Sequence, residues 1–514
     1  MTPSQRVLVN AIAQYGRTVI VMLLSLYMVR VVLSSLGQSD YGIYTVVAGC
    51  VAMLGFLTNS LVRTTQRFVS FYQGKNDIEG LKSIFNNCLI IHIFIGIIVV
   101  AILELLSPFI FDGFLNIPSD RLDAAIHIFH LVVATLFVTI SAAPYRALLV
   151  SHENIVYISL IDIIDIVLKV GLVLVMSQSS SDRLVFYGTI LLCFQFFNFL
   201  ALSIYDYIKY RECVLPNFCA LRLSYVVEMG KFAWWQIYGS ACVIGRDQGL
   251  SIVLNRAFGT IMNAGLGIGT QVSGATNTLS SAIVNAMSPQ IVKAEGAGDR
   301  GRTIWLSNVL SKMVFFLMSI LGIPLLFEIP QVLHVWLDNY PESAVFFSRM
   351  YILALLMDSL TIGLTHVNNA IGNIGKYILV MNTPKFLTVI FSILTLKLGM
   401  PLIYIGVVYV TIEAICAFVR VPLIREQAGL NVRDFYHNVI IMEIIPAVIC
   451  VATCWISVTA FDFSFRFLLT FAFSALCYST AMYFMGFTNK EKNIIDNLLR
   501  NVSIKLLSVK IRKQ

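Results

Sequence analysis

Charge is what this sequence has least of. Only 12% of its 514 residues are Asp, Glu, Lys or Arg, about half the roughly 25% of a soluble domain. Meanwhile 58% are hydrophobic and the mean hydropathy is +0.82. That leaves too little polar surface to keep the chain in water, which excludes a soluble enzyme and a disordered scaffold. The catalytic signatures HExxH, Walker loop, GxSxG and CxxC are all missing, so neither an enzyme nor a metal or cofactor site is expected. The 10 cysteines lie mostly inside apolar runs, and Cys450 and Cys454, spaced CxxxC, match no metal pattern. They read as packing residues rather than a disulfide framework. The formal net charge of +8 is assigned to cytoplasmic loops and anionic lipid headgroups rather than to nucleic acid.

What the chain has in quantity is long apolar runs. Crossing a hydrocarbon core of about 30 Å takes roughly 20 helical residues, and about fourteen stretches meet that length, the first from Asn10 to Leu36 and the last from Phe467 to Phe487. The expected fold class is an all-α polytopic membrane protein. No cleavable signal peptide is expected, because the first run is long and carries Arg17 and Arg30. Lys and Arg between spans fall more than twofold in favour of the loops holding Arg63, Arg67, Arg146, Lys209 and Arg300 over the alternate set. This places those loops and both termini in the cytoplasm.

Shifting the chain by 222 residues lays Gly37 on Gly259, Leu61 on Ile283, Val62 on Val284, Gly74 on Gly296 and Asp77 on Asp299. The same order recurs: span, glycine loop, span, Gly-x-x-Asp turn. We expect two six-helix lobes in parallel duplication plus a C-terminal helix pair. The boundaries are a first lobe at 1–209, a cytoplasmic linker at 210–231, a second lobe at 232–424, the pair at 425–488 and a basic amphipathic cytoplasmic tail at 489–514. Parallel copies are related by an axis along the membrane normal, an arrangement of alternating-access transporters with the site between the lobes.

An ionisable side chain in a span is costly and usually faces a cavity or a partner. The cations are Arg17 and Arg30 in the first span, Lys169 in the fifth, Arg246 in the seventh, Lys312 in the ninth and Lys385 in the eleventh. The acids are Asp162 and Asp165 in the fifth, Asp247 in the seventh, Asp358 in the tenth and Glu413 in the twelfth. Asp165 and Lys169, four apart, can neutralise each other. Arg246 and Asp247 are adjacent, point about 100° apart and are not expected to pair on one helix face. Lys385 follows Pro384, where a kink is expected. Polar stripes accompany these charges. Asn263, Thr270, Gly274, Asn277, Ser281 and Ser288 share one face of the eighth span, Gln236, Ser240, Asp247 and Ser251 one face of the seventh, and Asn10, Gln14 and Arg17 one face of the first. Such faces serve either helix packing or a hydrated cleft, and the embedded charge favours the cleft.

The stretches "GRDQGLSIVLNRAFGTIMNAGLGIGTQVSG", "NAMSPQIVKAEGAGDR" and "LGQSDYGIYTVVAG" resemble the polysaccharide (O-antigen and capsule) flippases of the multidrug/oligosaccharidyl-lipid/polysaccharide exporter superfamily. The resemblance implies a protein of the bacterial cytoplasmic (inner) membrane that alternates between inward- and outward-facing states. Its cargo would be an oligosaccharide on undecaprenyl diphosphate, with a proton or sodium as coupling ion and a polysaccharide polymerase as a partner. Arg17, Gln14, Arg246, Asp247, Asn277, Ser281 and Lys385 are the candidate substrate-binding residues, and Asp162, Asp165, Asp358 and Glu413 the candidates for the coupling ion. Arginine suits a diphosphate, and hydroxyl-rich sugar suits the Asn/Ser/Thr stripe. Competing readings are a cation-coupled multidrug exporter of the same superfamily, a lipid-linked peptidoglycan-precursor flippase, and a membrane-embedded glycan polymerase or transferase.

Overall fold

In lipid the backbone must satisfy its own polar groups, and a chain of apolar runs does so by forming helices. The computed structural model describes residues 3–493 except 53, 112–118, 177–181, 338–339 and 464. The tail expected at 489–514 lies outside the described residues beyond 493, as does the side chain of Arg30. The helices are α1 (Pro3–Ala52), α2 (Gly55–Gly74), α3 (Ile78–Phe109), α4 (Leu122–Ser151), α5 (Ile155–Met176), α6 (Arg183–Lys209), α7 (Leu223–Phe258) and α8 (Thr260–Gly296). There follow α9 (Arg300–Leu337), α10 (Ser343–Ser359), α11 (Ile362–Ile371), α12 (Gly375–Lys397) and α13 (Ile403–Ala428). The last two are α14 (Val432–Ala460) and α15 (Arg466–Gly486).

α1 breaks at Gly37, which is non-helical, and α10 and α11 meet at a 53° bend. Taking residues 38–52 with α2, and α10 with α11, leaves fourteen helical segments among the described residues, so the polytopic all-α fold stands. Eight helices are long and apolar enough to cross a membrane by length and composition, nine with the bent pair counted as one span, among the described residues. The chain is a multi-pass membrane protein.

The contacts divide the helices into two compact units, Val9–Ile237 and one made of Tyr238 onward with the residues before Val9. In the first, Val47, Leu61, Ile128, Phe129, Val133 and Leu184 form the core. In the second, Leu250, Leu254, Leu266, Phe347, Tyr351 and Tyr409 do. With lipid as apolar as leucine, these cores are held by close packing rather than by expulsion of water. Accordingly α8 turns Gly265 and Gly269 toward α10, where a Cβ would fall 2.1 Å from Ser343 Oγ and 2.8 Å from Phe347 Cβ respectively.

The duplication is written in the backbone. Gly37 has φ 80° and ψ 171°; its counterpart Gly259 has φ 82° and ψ −171°. The Gly-x-x-Asp turns also match bond for bond at the same offset. Lys75 N–H donates to Phe71 O, Asn76 to Gln73 O, Asp77 to Tyr72 O and Leu81 to Asp77 O; Ala297 donates to Lys293 O, Gly298 to Glu295 O, Asp299 to Ala294 O and Thr303 to Asp299 O. Asp77 Oδ1 accepts from Gly80 N at 2.8 Å and Asp299 Oδ1 from Arg302 N at 3.0 Å. Each Asp therefore caps the next helix, after a left-handed residue, Asn76 or Gly298, has closed the previous one.

Polar clamps tie the loops of the first unit. Asn86 exchanges two hydrogen bonds with the backbone of Asn217, at 3.0 and 2.7 Å, and Asn87 accepts from Arg222 N at 3.1 Å. Those bonds hold residues 217–222 against α3. Elsewhere Arg121 bridges Asp40 at 2.5 Å and Asp182 at 2.6 Å. The hydrogen bond from Arg121 holds the Asp182 carboxyl below its ordinary value of 3.8. That contribution is complete above pH 3.8 and is lost as acid protonates Asp182 through its lowered value.

At Gly37 and Gly259 a Cβ would meet nothing within 4 Å, so only the backbone demands glycine. Their φ/ψ region is essentially closed to other residues, at a cost on the order of 1–3 kcal/mol. Gly37→Ala and Gly259→Ala should each lower the unfolding temperature in detergent, while Gly16→Ala, at a helical position with equal room, should not. Equal melting temperatures for all three would refute the assignment.

Candidate functional site

Among the charged side chains, one cluster in each unit brings together most of those the sequence places inside spans. In the first unit Asp162 of α5 takes two guanidinium groups. Arg17 Nη1 of α1 donates to Oδ2 at 2.6 Å; Arg146 of α4 donates through Nη1 to Oδ1 at 3.2 Å and through Nη2 to Oδ2 at 2.8 Å. Arg17 and Asp162 keep 23% and 22% of their side-chain surface, Arg146 37%. Three residues on, Asp165 pairs with Lys169 at 2.7 Å, as their spacing indicates, and accepts from Asn198 Nδ2 at 2.8 Å. Of the other two stripe residues on α1, Asn10 is buried and donates to Glu153 O at 2.7 Å, and Gln14 is buried at 6% exposure.

In the second unit six groups alternate in sign along one chain. Asp247 Oδ1 accepts from Arg246 Nε at 2.9 Å, and Arg246 Nη1 reaches Glu413 Oε1 at 2.5 Å. Glu413 Oε2 lies 2.8 Å from Lys385 Nζ, which is 3.8 Å from Asp358 Oδ1. Asp358 Oδ1 accepts from Arg420 Nη2 at 2.7 Å. Three cations meet three acids contributed by α7, α10, α12 and α13. The Arg246 guanidinium also lies 4.4 Å from the centroid of the Tyr409 ring, a cation–π contact. Asp247, with 38% of its side chain accessible, is the open end; Arg246, Glu413 and Arg420 are closed in at 8, 6 and 4%.

One expectation fails here. Arg246 and Asp247 do pair, although their Cα–Cβ directions diverge. The guanidinium sits far enough along its arm to fold back across the helix surface, and its Nε and Nη1 serve different acids. Periodicity describes where side chains leave a helix; for arginine it does not fix where they end.

Two residues that belong to these clusters escape the sequence reading. Arg146 was counted with the cytoplasmic loop cations, yet it lies within α4 and binds Asp162. Arg420 closes the break between α10 and α11. Its Nη1 donates to the backbone carbonyl of Asp358 at 3.2 Å and to Thr361 Oγ1 at 3.1 Å, and Thr361 Oγ1 donates to Ala417 O at 3.1 Å. A broken helix leaves carbonyls without partners in a medium that offers none, and a cation at that end answers both the carbonyl and the dipole. The available signal was the spacing Glu413–Arg420, seven residues and therefore one helix face.

The stripe on α8 is partly accessible: Thr270, Gly274 and Asn277 are exposed and Ser281 is half-buried. Asn277 Oδ1 accepts from Ser280 Oγ at 3.0 Å, and Ser281 Oγ donates to Thr278 O at 2.8 Å. At the ends of the stripe Asn263 Oδ1 accepts from Ser251 Oγ of α7 at 3.2 Å, and Ser288 Oγ lies 3.1 Å from His366 Nδ1. Lys312 is not part of either cluster. It is 1% exposed and its Nζ lies 2.8 Å from Glu491 Oε2, an oxygen that also accepts from Thr488 N.

The chain matches no family profile and no curated protein sequence. Solved structures do share its fold. A MATE crystallised in complex with MaL6 aligns with TM-score 0.70 at 14% identity, over 83% of this chain and 96% of its own. An outward-facing multidrug resistance MATE family transporter of the MOP superfamily gives 0.68 and 14%, over 83% and 96%. A MOP superfamily transporter from Pyrococcus furiosus gives 0.67 and 15%, over 84% and 96%, and is described as having a binding pocket whose reverse polarity suggests a different function. At such identities the likeness is one of fold: the chain shares the fold of these MATE proteins.

Removing Arg420 strands a carboxylate and a carbonyl at the helix break. Arg420→Ala should cost about 3–5 kcal/mol, as for other severed buried pairs, and Arg420→Ala with Asp358→Asn should cost less than the two single losses added. Strict additivity in thermal unfolding of the four proteins would show that the two groups are not coupled.

Proposed function

We propose that this chain is an alternating-access transporter that flips an oligosaccharide carried on a lipid diphosphate across the bacterial cytoplasmic membrane, with both termini cytoplasmic. The carrying observation is the imbalance in the first unit, where two accessible guanidinium groups share one carboxylate. Asp162 fixes their orientation and cancels one charge of two. The remaining N–H groups and the surplus charge suit a phosphate oxyanion, which arginine binds through paired donors. Arg17 and Arg146 are thus the proposed diphosphate contacts, with Asp162 positioning them rather than carrying an ion.

The balanced chain of the second unit suits the coupling step. Asp358 and Glu413 each sit between two cations, so adding a proton to either leaves a cation without its partner and changes which contacts are worth keeping. We assign coupling to Asp247, Glu413 and Asp358, with a proton or sodium as the ion, and keep Asn277 and Ser281 for sugar hydroxyls. In this assignment Arg246 and Lys385 order the chain, and Gln14 is a buried residue of the same helix as Arg17.

A second reading is favoured by the similar structures, two of which are described as MATE proteins and one of those as a multidrug resistance transporter. A cation-coupled drug exporter would use the acids where the flippase uses the arginines. The Pyrococcus furiosus protein, described as a pocket of reversed polarity in the same fold, supports treating the sign of the site as the discriminating property. The peptidoglycan-precursor flippase shares the diphosphate chemistry and differs only in the glycan.

Deleting the gene should trap intact lipid-linked repeat units on the cytoplasmic leaflet, and the wild-type gene should restore surface polysaccharide. Arg17→Ala with Arg146→Ala should cut that recovery at least tenfold at equal protein level. Normal export by the double variant would overturn the phosphate assignment. Normal export after deletion, with altered sensitivity to cationic dyes, would establish the drug exporter, and unpolymerised units on the outer leaflet would establish an enzyme.

A further inference from the structure

Away from both charge clusters, the first unit contains a cavity of about 160 Å³ between α2, α3 and the early turns of α7. Its walls include Leu61, Ile91, Ile95, Met229 and Trp234, with Thr64 and Thr65 on α2 and His92 on the α3 side; Thr65 Oγ1, like His92 Nε2, has no hydrogen-bond partner among the described residues. His92 is 2% exposed, and its Nδ1 lies 2.7 Å from the backbone carbonyl of Cys88. A carbonyl only accepts, so Nδ1 carries the proton, and in the neutral ring Nε2 presents a bare lone pair. That Nε2 is buried and has no hydrogen-bond partner among the described residues. Leaving an acceptor unsatisfied in an apolar wall is unfavourable, and such an atom calls for a donor.

Gly230 supplies a second observation. It lies on the cavity wall inside α7, where glycine weakens a helix, and a Cβ there would meet nothing within 4 Å. The space is therefore left open by the sequence where alanine would have served the helix better.

We infer that this cavity binds a small apolar molecule carrying one hydroxyl group, which donates its hydrogen bond to His92 Nε2. An apolar cavity near 150 Å³ accommodates a benzene ring, so the fit is to a single phenol-sized ring or a short branched alcohol. An ammonium ligand would bring a charge to a wall without a carboxylate; a ketone or ether could accept from Thr65 Oγ1 but has no hydrogen for His92 Nε2, whereas a hydroxyl can serve both. The inference is independent of the transport reading, because no lining residue belongs to either charge cluster.

Para-cresol and toluene differ by the hydroxyl alone and test it directly. With the full chain in lipid nanodiscs, binding is followed on the His92 imidazole nitrogen resonances, assigned by their loss in His92→Phe. One net hydrogen bond predicts about tenfold tighter binding of para-cresol, with a shift confined to the unprotonated nitrogen. His92→Phe keeps a ring and removes the acceptor; by ligand-observed binding it should erase the preference while retaining toluene. Gly230→Leu should fill the space and exclude both molecules. Equal binding of the two by the wild-type protein, as expected if lipid chains or a water fill the site, would overturn the inference. So would a preference that survives His92→Phe or, should that variant not fold, binding of para-cresol that survives Gly230→Leu.

Discussion

An ionised side chain in a membrane must meet an opposite charge, a polar backbone group or water, and here that requirement arranges the helices. Placing a lone charge at mid-membrane costs about 2.5–3.5 kcal/mol even on insertion scales. In the second unit the six-membered chain from Asp247 to Arg420 binds α7, α10, α12 and α13 to one another. The apolar core forms around the same place, with Tyr409 contributing to both: its ring packs in the cluster with Leu250 and Tyr351 and lies under the Arg246 guanidinium. Packing and charge compensation are therefore one constraint here. A substitution that loosens the core also moves an ion pair, and breaking a pair opens the core.

The two copies keep their turns and exchange their signs. Backbone geometry at Gly37 and Gly259, and in the turns capped by Asp77 and Asp299, survives at the common offset. Charge does not. The acid Asp162 of the first unit corresponds within one residue to the cation Lys385, and the cation Arg146 corresponds to Asn368, which is fully buried. In the first copy cations on α1 and α4 surround an acid on α5; in the second, acids on α10 and α13 surround a cation on α12. The fourth helix diverges too, being continuous as α4 but broken between α10 and α11. The break and the inversion are linked through Arg420, because the guanidinium that takes the exposed carbonyl is the same one that neutralises Asp358. Turns are conserved by local backbone chemistry, whereas charges need only balance within a copy, so either sign pattern satisfies the membrane.

Much of the fold was legible in the sequence, since span length, the 222-residue offset and the Gly-x-x-Asp turns are properties of the chain alone. The site was legible in part. Asp165 and Lys169 pair as their spacing dictates, because both groups leave one helix face. The Arg246–Asp247 contact was misjudged because it depends on the path of a long flexible arm rather than on periodicity. Arg146 was masked by its place near a helix end, where a cation is ordinarily read as a loop residue. The break between α10 and α11 carries no proline at all: the residues there are Ser359, Leu360 and Thr361. What it requires is Gly363, where a Cβ would fall 2.0 Å from Ser307 O, a condition set by α9 and invisible in local sequence.

The same reasoning explains why only some helices announce themselves by hydropathy. Among those long and apolar enough to span are α3, α9 and α14; α5, α7 and α8, over the described residues, are not. α5 carries Asp162, Asp165 and Lys169 within its 22 residues, and a scale that charges each ion separately counts three penalties. The folded chain incurs far less, because Lys169 and Asp165 neutralise each other and Asp162 is matched by Arg17 and Arg146 from two other helices. Hydropathy is additive over residues, and compensation is pairwise over helices that sequence places far apart. Helices that fail an additive test but still belong to a membrane fold are thus the ones whose polar groups have been provided with partners. They are also where a further ion can enter as one more partner at modest cost.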